Sequence, residues 1–271
     1  MTDHRPIDID GMKPVALRSQ AAPQLHWIPL DQLVIDDRYQ RPLGPKNRAA
    51  IQAIAGDFRW SRFSPVLAAP VEGGRYAIID GQHRAHAAAL CGIESIPAMV
   101  VLVAPEEQAL AFIEVNTRQI RVDPLHVYRA ALTAGEPWAV ACHDAVAAAG
   151  GRLMTGRWAT RDKKPGMVFC IALIRDLVRK GQAGAVTTAL AALMEFSPDR
   201  AENFSEALLK PFLTAVVDCG GTVDDWVAVL HAKRPWLVLE NADRLAKQTG
   251  ANRTAARKAG FVGLFRERAA A

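Results

Sequence analysis

The chain has 271 residues, half of them hydrophobic, and a formal net charge of +5 at pH 7. That is enough apolar material for one large domain or two ordinary ones, and no apolar run reaches membrane-spanning length. A charge excess this small permits nucleic-acid contact without demanding it.

Residues 1–25 are polar and unpatterned and are expected to be a flexible tail. They show no basic-then-apolar leader, so no export is expected. Cys91, Cys142, Cys170 and Cys219 lie far apart. They fit buried reduced thiols of a cytoplasmic protein better than a disulfide framework or a zinc site. Trp27 to Ile35 reads as a strand plus a turn, with Pro29 at its edge. Arg38-Tyr39-Gln40-Arg41-Pro42 comes next, either a solvated loop or a segment whose Arg38 or Arg41 contacts phosphate or DNA. Pro45 to Phe58 is a helix with Pro45 in its first turn. Phe63 to Leu67 opens the next strand, and Glu72-Gly73-Gly74 is a hairpin turn. Tyr76 to Ile79 is a short apolar strand. Asp80-Gly81 breaks it, with Asp80 able to cap the next helix. Gln82 to Leu90 is Ala-rich and free of β-branching, a helix that Gly92 ends. Ile96 to Val103 is a further strand and Pro105 to Val115 a further helix.

The helix after Gly81 begins with His83, Arg84 and His86. The amide end of a helix favours negative charge, so each cation there costs roughly 0.3–1 kcal/mol. That placement makes sense if an anion rests at the turn, and phosphate is the common one. Gly81 lets the backbone approach it closely.

Asp80-Gly81-Gln82-His83-Arg84-Ala85-His86-Ala87 resembles the Gly-Glu-Arg-Arg-x-Arg-Ala box of the ParB N-terminal domain. It also resembles the Gly-Cys-His-Arg box of sulfiredoxin, which shares that fold. The resemblance implies nucleotide phosphates at this turn, from CTP in ParB proteins and ATP in sulfiredoxin. Gln82 stands where the family has Glu or Cys, and without that Cys sulfiredoxin chemistry is excluded. His83 and His86 replace two ParB arginines. Downstream, Asn116 and Pro124 match the Glu-Asn-x-x-Arg-x-x-Leu-x-Pro segment of ParB proteins, with Val122 in place of the Leu. In the family the Glu and Asn of that segment help hold magnesium on the nucleotide. Here the Glu position is Val115. The Arg position is Gln119, flanked by Arg118 and Arg121. The resemblance therefore implies a nucleotide site made of Gly81, Gln82, His83, Arg84, Asn116, Arg118 and Arg121, with weakened magnesium binding. It places a ParB/sulfiredoxin-like domain at residues 26–122. The fold class is α+β: a small mixed-sheet N-terminal domain of that type followed by an all-helical C-terminal domain at 123–271.

Helices are expected at Asp123–Thr133, Glu136–Ala149, Met167–Arg179, Gly184–Met194, Phe204–Val217 with Pro211 as a kink or break, and Asp224–His231. Arg152 to Gly166 is a basic loop around Trp158. It is either a phosphate grip with a stacking ring or a solvated loop with Trp158 tucked into the core. Leu245 to Ala256 looks like part of a helix-turn-helix at about 242–262, whose second helix would lie in a major groove. Arg253, Thr254, Arg257 and Lys258 would then face DNA. The alternative is a basic amphipathic helix lying on the protein's own surface.

Together these readings give a nucleotide-binding (CTP or ATP, with Mg²⁺ left open), DNA-associated module or switch, with a homodimer also open. The alternative is an enzyme of the same fold, a nuclease or small-molecule kinase, with Asp80 or His83 as its acid–base group. A metal site from Asp80, His83 and His86 has no visible fourth ligand.

Overall fold

The computed structural model describes residues 4–17, 19–118 and 122–270. The chain divides into two compact units, residues 1–120 and 121–271.

The first unit is built on a five-stranded mixed sheet. Its strands are β1 (Gln24–Pro29), β2 (Leu33–Val34), β3 (Val66–Val71), β4 (Arg75–Asp80) and β5 (Ser95–Val100), in spatial order β1-β5-β3-β4-β2. β1 runs antiparallel to β5, β3 parallel to β5 and antiparallel to β4, and β2 parallel to β4. Three α-helices among the described residues belong to this unit: α1 (Pro45–Gly56), α2 (Gln82–Leu90) and α3 (Pro105–Thr117). The core joins Ile28, Val66, Ile78, Ile96, Ala98 and Val100 of the sheet to Ala85 and Ala88 of α2. Ala85 and Ala88 are three apart and share one helix face. Their small size lets α2 lie close on the strands. β4 leads into α2, and Ala77, Ile78 and Ile79, all buried, fix its end in place. Burying each isoleucine contributes about 1.5–3 kcal/mol.

Among the described residues the second unit packs eight α-helices: α4 (Pro124–Thr133), α5 (Pro137–Ala147), α6 (Ile171–Arg179), α7 (Ala183–Phe196), α8 (Glu206–Cys219), α9 (Val223–Ala232), α10 (Pro235–Thr249) and α11 (Arg253–Ala269). Its core centres on Trp226, fully buried, stacked on Phe265 at 4.6 Å and edge-on to Phe212 at 5.4 Å. The Trp226 indole donates to the Gly220 carbonyl at 2.7 Å. Tyr128 is likewise buried, and desolvation pushes its hydroxyl pKa up to about 12.

Several boundaries differ from those the sequence suggests. The first strand begins at Gln24, inside the expected tail. The expected helix from Met167 starts at Ile171, because Met167–Val168 form strand β7. It pairs in parallel with β6 (Arg152–Leu153) and ties the two ends of the basic loop together. α8 runs through Pro211 without a break. α10 begins at Pro235, ten residues before the expected segment, with proline in its first turn.

Candidate functional site

β4 delivers the chain to the site and Gly81 turns it. Gly81 has φ 103° and ψ 16°, and it occupies the cap position of α2. A Cβ at this position would lie 2.8 Å from both Arg84 Nη2 and Val66 Cγ1. Only glycine therefore fits the turn without strain. No side chain caps the helix, and its first turn holds no acid. Asp80 does not cap: its Oδ2 accepts from Arg84 Nη2 at 3.1 Å instead. The left-handed Gly81 has taken the cap position itself. Arg84 Nε is buried with no hydrogen-bond partner, which leaves a buried guanidinium donor unused beside the turn.

The turn opens on a cleft of about 280 Å³, lined by Gln40, Arg41, Ile54, Asp80, Gly81, Gln82, His83, Arg84, Phe112 and Asn116. Drug-sized ligands fill pockets of about 300–1,000 Å³, so the cleft suits a phosphate chain with the rest of a ligand projecting outward. Its single carboxylate, Asp80, rests on Arg84 where a phosphate oxygen could take its place. His86 lies further along the helix, its Nδ1 2.7 Å from the Gln82 carbonyl.

The sequence-derived residues divide three ways. Gly81, Gln82, His83, Arg84 and Asn116 line the cleft together with Asp80. Asn116 is exposed, with its amide nitrogen donating to the Phe112 carbonyl at 2.8 Å. Arg118 instead pairs with Glu114 at 2.9 Å on the outside of α3. Arg121 lies outside the described residues. Of the two upstream arginines, Arg41 lines the cleft, and Arg38 forks onto Asp36 at 2.6 and 2.9 Å. That pairing holds the Asp36 carboxyl below its ordinary value.

Gln40 has a role the sequence did not reveal. It is 8% exposed, and its amide donates to the carbonyls of Ile78 at 2.8 Å and Ile79 at 3.0 Å. It thereby pins the Arg38–Arg41 segment to the end of β4 and delivers Arg41 to the cleft. Beside it, burial raises the pKa of Tyr39, and the Asp36 charge adds to the effect. The Tyr39 ring packs on Phe112 at 5.7 Å. Ile54 and Phe112 form the apolar walls. Among the described residues no group of three His, Cys, Asp or Glu is placed to hold a metal.

The second candidate site is the start of α11. α10 ends at Gly250 in the left-handed conformation, and Asn252 caps α11 by accepting from Ala255 N at 3.1 Å. Arg253 pairs with Asp243. Arg257 makes two bonds to the same carboxylate at 2.7 and 2.8 Å and is 17% exposed. Lys258 pairs with Asp218. Thr254 is exposed.

A mixed five-stranded sheet with a strand–glycine–helix turn at the end of its buried strand defines the class of the first unit. Residues 19–117 match the family model of the ParB N-terminal domain, so this part of the chain has the fold its Gly81–Arg84 box suggested. No curated protein matches the chain. Three solved structures similar to it are ParB proteins. One is the C-terminally truncated chromosome-partitioning protein ParB from Caulobacter crescentus complexed with CTP-gamma-S, 15% identical, covering 78% of this chain and 94% of that chain, TM-score 0.35. The same truncated protein complexed to the centromeric parS site is 14% identical, covering 89% and 99%, TM-score 0.31. A Pnob8-like ParB-N domain is 13% identical, covering 92% and 97%, TM-score 0.30. No helix among the described residues is long and apolar enough to cross a membrane.

Proposed function

We propose that the first unit binds a nucleoside triphosphate, CTP or ATP, with its phosphates at the β4–α2 turn. The observation that carries this is the uncapped start of α2: Gly81 at φ 103°, no acid in the first turn, and His83, Arg84 and Arg41 lining the same cleft. The amide end and the cations attract the same anion. The Arg84 donor left without a partner is the group a phosphate would satisfy. Entry of phosphate exchanges the Asp80–Arg84 pair for a phosphate–Arg84 pair. The Asp80–Arg84 pair is part-buried, each side chain 26% exposed, and the exchange keeps an anion on Arg84 throughout. Gln82 and Asn116 supply neutral contacts beside the phosphates. The site gives magnesium no protein cage. Asp80 is its one carboxylate, and a bound Mg²⁺ would be held chiefly by the phosphates, as that ion commonly is.

In this reading the chain is a cytoplasmic, DNA-associated binding module, and nucleotide occupancy biases DNA contact or pairing of two copies. DNA contact is assigned to the start of α11, through Arg253 and Thr254, with Arg257 and Lys258 holding the helix to its neighbours. The test is a titration panel of CTP, ATP, GTP and UTP against the folded full chain, with and without Mg²⁺. Saturable binding of a pyrimidine or purine triphosphate supports the reading, and no binding by any of the four removes it. Metal-dependent cleavage of DNA that disappears in His83→Ala would replace it with the enzymatic alternative, in which Asp80 and His83 act as the acid–base pair.

A further inference from the structure

The loop between β6 and β7, in the second unit, offers a surface of its own. Residues 157–164 are all exposed. The loop and its base carry Arg152, Arg157, Arg161, Lys163 and Lys164 against one acid, Asp162. The pairing of β6 with β7 holds its two ends together. Arg157 Nε reaches Asp123 at 2.5 Å and anchors the loop to the start of α4. Arg161 sits 3.8 Å from Asp162, an exposed and weak pair. Arg152 and Lys164 are in no ion pair among the described residues.

An aromatic slot lies beside these charges. Trp158, 45% exposed, lines a cleft of about 340 Å³ with Phe169, Lys163 and the first residues of α6. Lys163 Nζ lies over the Phe169 ring at 4.8 Å. α6 has no side-chain cap, so its amide end adds to the positive character of the slot. A large ring left half-exposed on a cationic loop has two ordinary uses: it fills the core or it stacks on a ligand. Trp158 does not fill the core.

We propose that this loop binds single-stranded nucleic acid, one base stacking on Trp158 in the slot while Arg161, Lys163, Lys164 and Arg152 take the adjacent phosphates. Stacking on an aromatic face needs an unpaired base, and the loop carries more basic residues than the two, Arg157 and Lys163, that line the slot. The ligand is therefore a strand, not a duplex or a free nucleotide. Asp123 and Glu206 on the slot wall repel a phosphate on that side and limit the loop to a short site.

The experiment is fluorescence anisotropy of a labelled oligothymidylate of about 12 nucleotides, within the usual length of a stacking-based site, with the full chain. It is repeated with the matching duplex and with dTMP as competitor. The single strand is expected to bind more tightly than the duplex, and dTMP to compete only at far higher concentration. Trp158→Ala should lower single-strand affinity roughly tenfold and Trp158→Phe should restore most of it. The double variant Arg161→Ala, Lys164→Ala should reduce the slope of log affinity against log salt by about 1.4. Affinity for triphosphate at α2 should be unchanged in Trp158→Ala, which separates failure here from failure of the proposal above. No binding of the strand by the wild type, equal binding by Trp158→Ala, or a duplex preference would each overturn the inference.

Discussion

The helix starts of α11 and α2 both carry arginine, and the chain treats them in opposite ways. At α11 the end is closed. Asn252 caps the amides, and Asp243 takes both Arg253 and Arg257. Lys258 goes to Asp218. At α2 the end is open. A left-handed glycine replaces the capping side chain, no acid sits in the first turn, and the helix start lines a cleft. A cation near a helix start therefore says little until its counter-charge is located. At α11 two carboxylates take all three cations, and the protein neutralises the helix start itself. At α2 one carboxylate faces both Arg41 and Arg84, and the balance is left for a ligand.

The strongest way to break the comparison is to close the open end. Gly81→Ala places a Cβ 2.8 Å from Arg84 and Val66 in a backbone region that costs an L-residue roughly 1–3 kcal/mol. Triphosphate affinity should fall more than tenfold by calorimetry, and the melting temperature should drop by several degrees. Gly92→Ala, also at positive φ but with nothing near its Cβ, should lose stability without losing binding.

A smaller effect is expected at the closed end. The Arg257 and Arg253 guanidinia hold the Asp243 carboxyl far below the usual carboxylate range. A depressed folded pKa contributes stability that is complete above the unfolded value of about 3.9. It is lost as pH falls from there toward the folded value. Asp243→Asn should therefore cost about 1 kcal/mol at pH 7, read as a lower melting temperature. Its difference from wild type should shrink below about pH 4, where the unfolded carboxyl begins to protonate. Triphosphate affinity should not move.

The smallest expected effect sharpens the role of α11. If its exposed first turn touches duplex DNA, Arg253→Ala should reduce the salt slope of binding by about 0.9, the release from one phosphate contact. Arg257→Ala should act mainly on stability, because that side chain is spent on Asp243.

The β4–Gly81–α2 turn was legible in the sequence because its signals are local: an apolar run, a glycine, then alanines at helical spacing. Gln40 was not legible. Its acceptors lie 38 and 39 residues away, and nothing in Tyr39-Gln40-Arg41 distinguishes a buried amide from a solvated one. The role of Asp80 was hidden for a related reason: a carboxylate before a helix usually caps it, but the positive φ of Gly81 moves the cap one residue on. The first two-thirds of α10 escaped notice although Pro235, Val238, Leu239, Ala242 and Ala246 form a regular buried stripe. Trp236, Leu237 and Leu245 are also large and apolar but stand exposed, and they blur it. The two-residue strands β2, β6 and β7 are too short for alternation to register.

The central claim concerns the phosphates, so it is best tested by separating them from the rest of the ligand. Calorimetric affinities of wild type and Arg84→Ala would be measured for the tightest-binding triphosphate and for its nucleoside. Wild type should prefer the triphosphate strongly. Arg84→Ala should lose about 10–100-fold on the triphosphate, the worth of a charge-assisted hydrogen bond, and almost nothing on the nucleoside. Equal losses on both ligands, or an undiminished triphosphate preference in Arg84→Ala, would contradict the assignment of the turn at Gly81 as the phosphate seat.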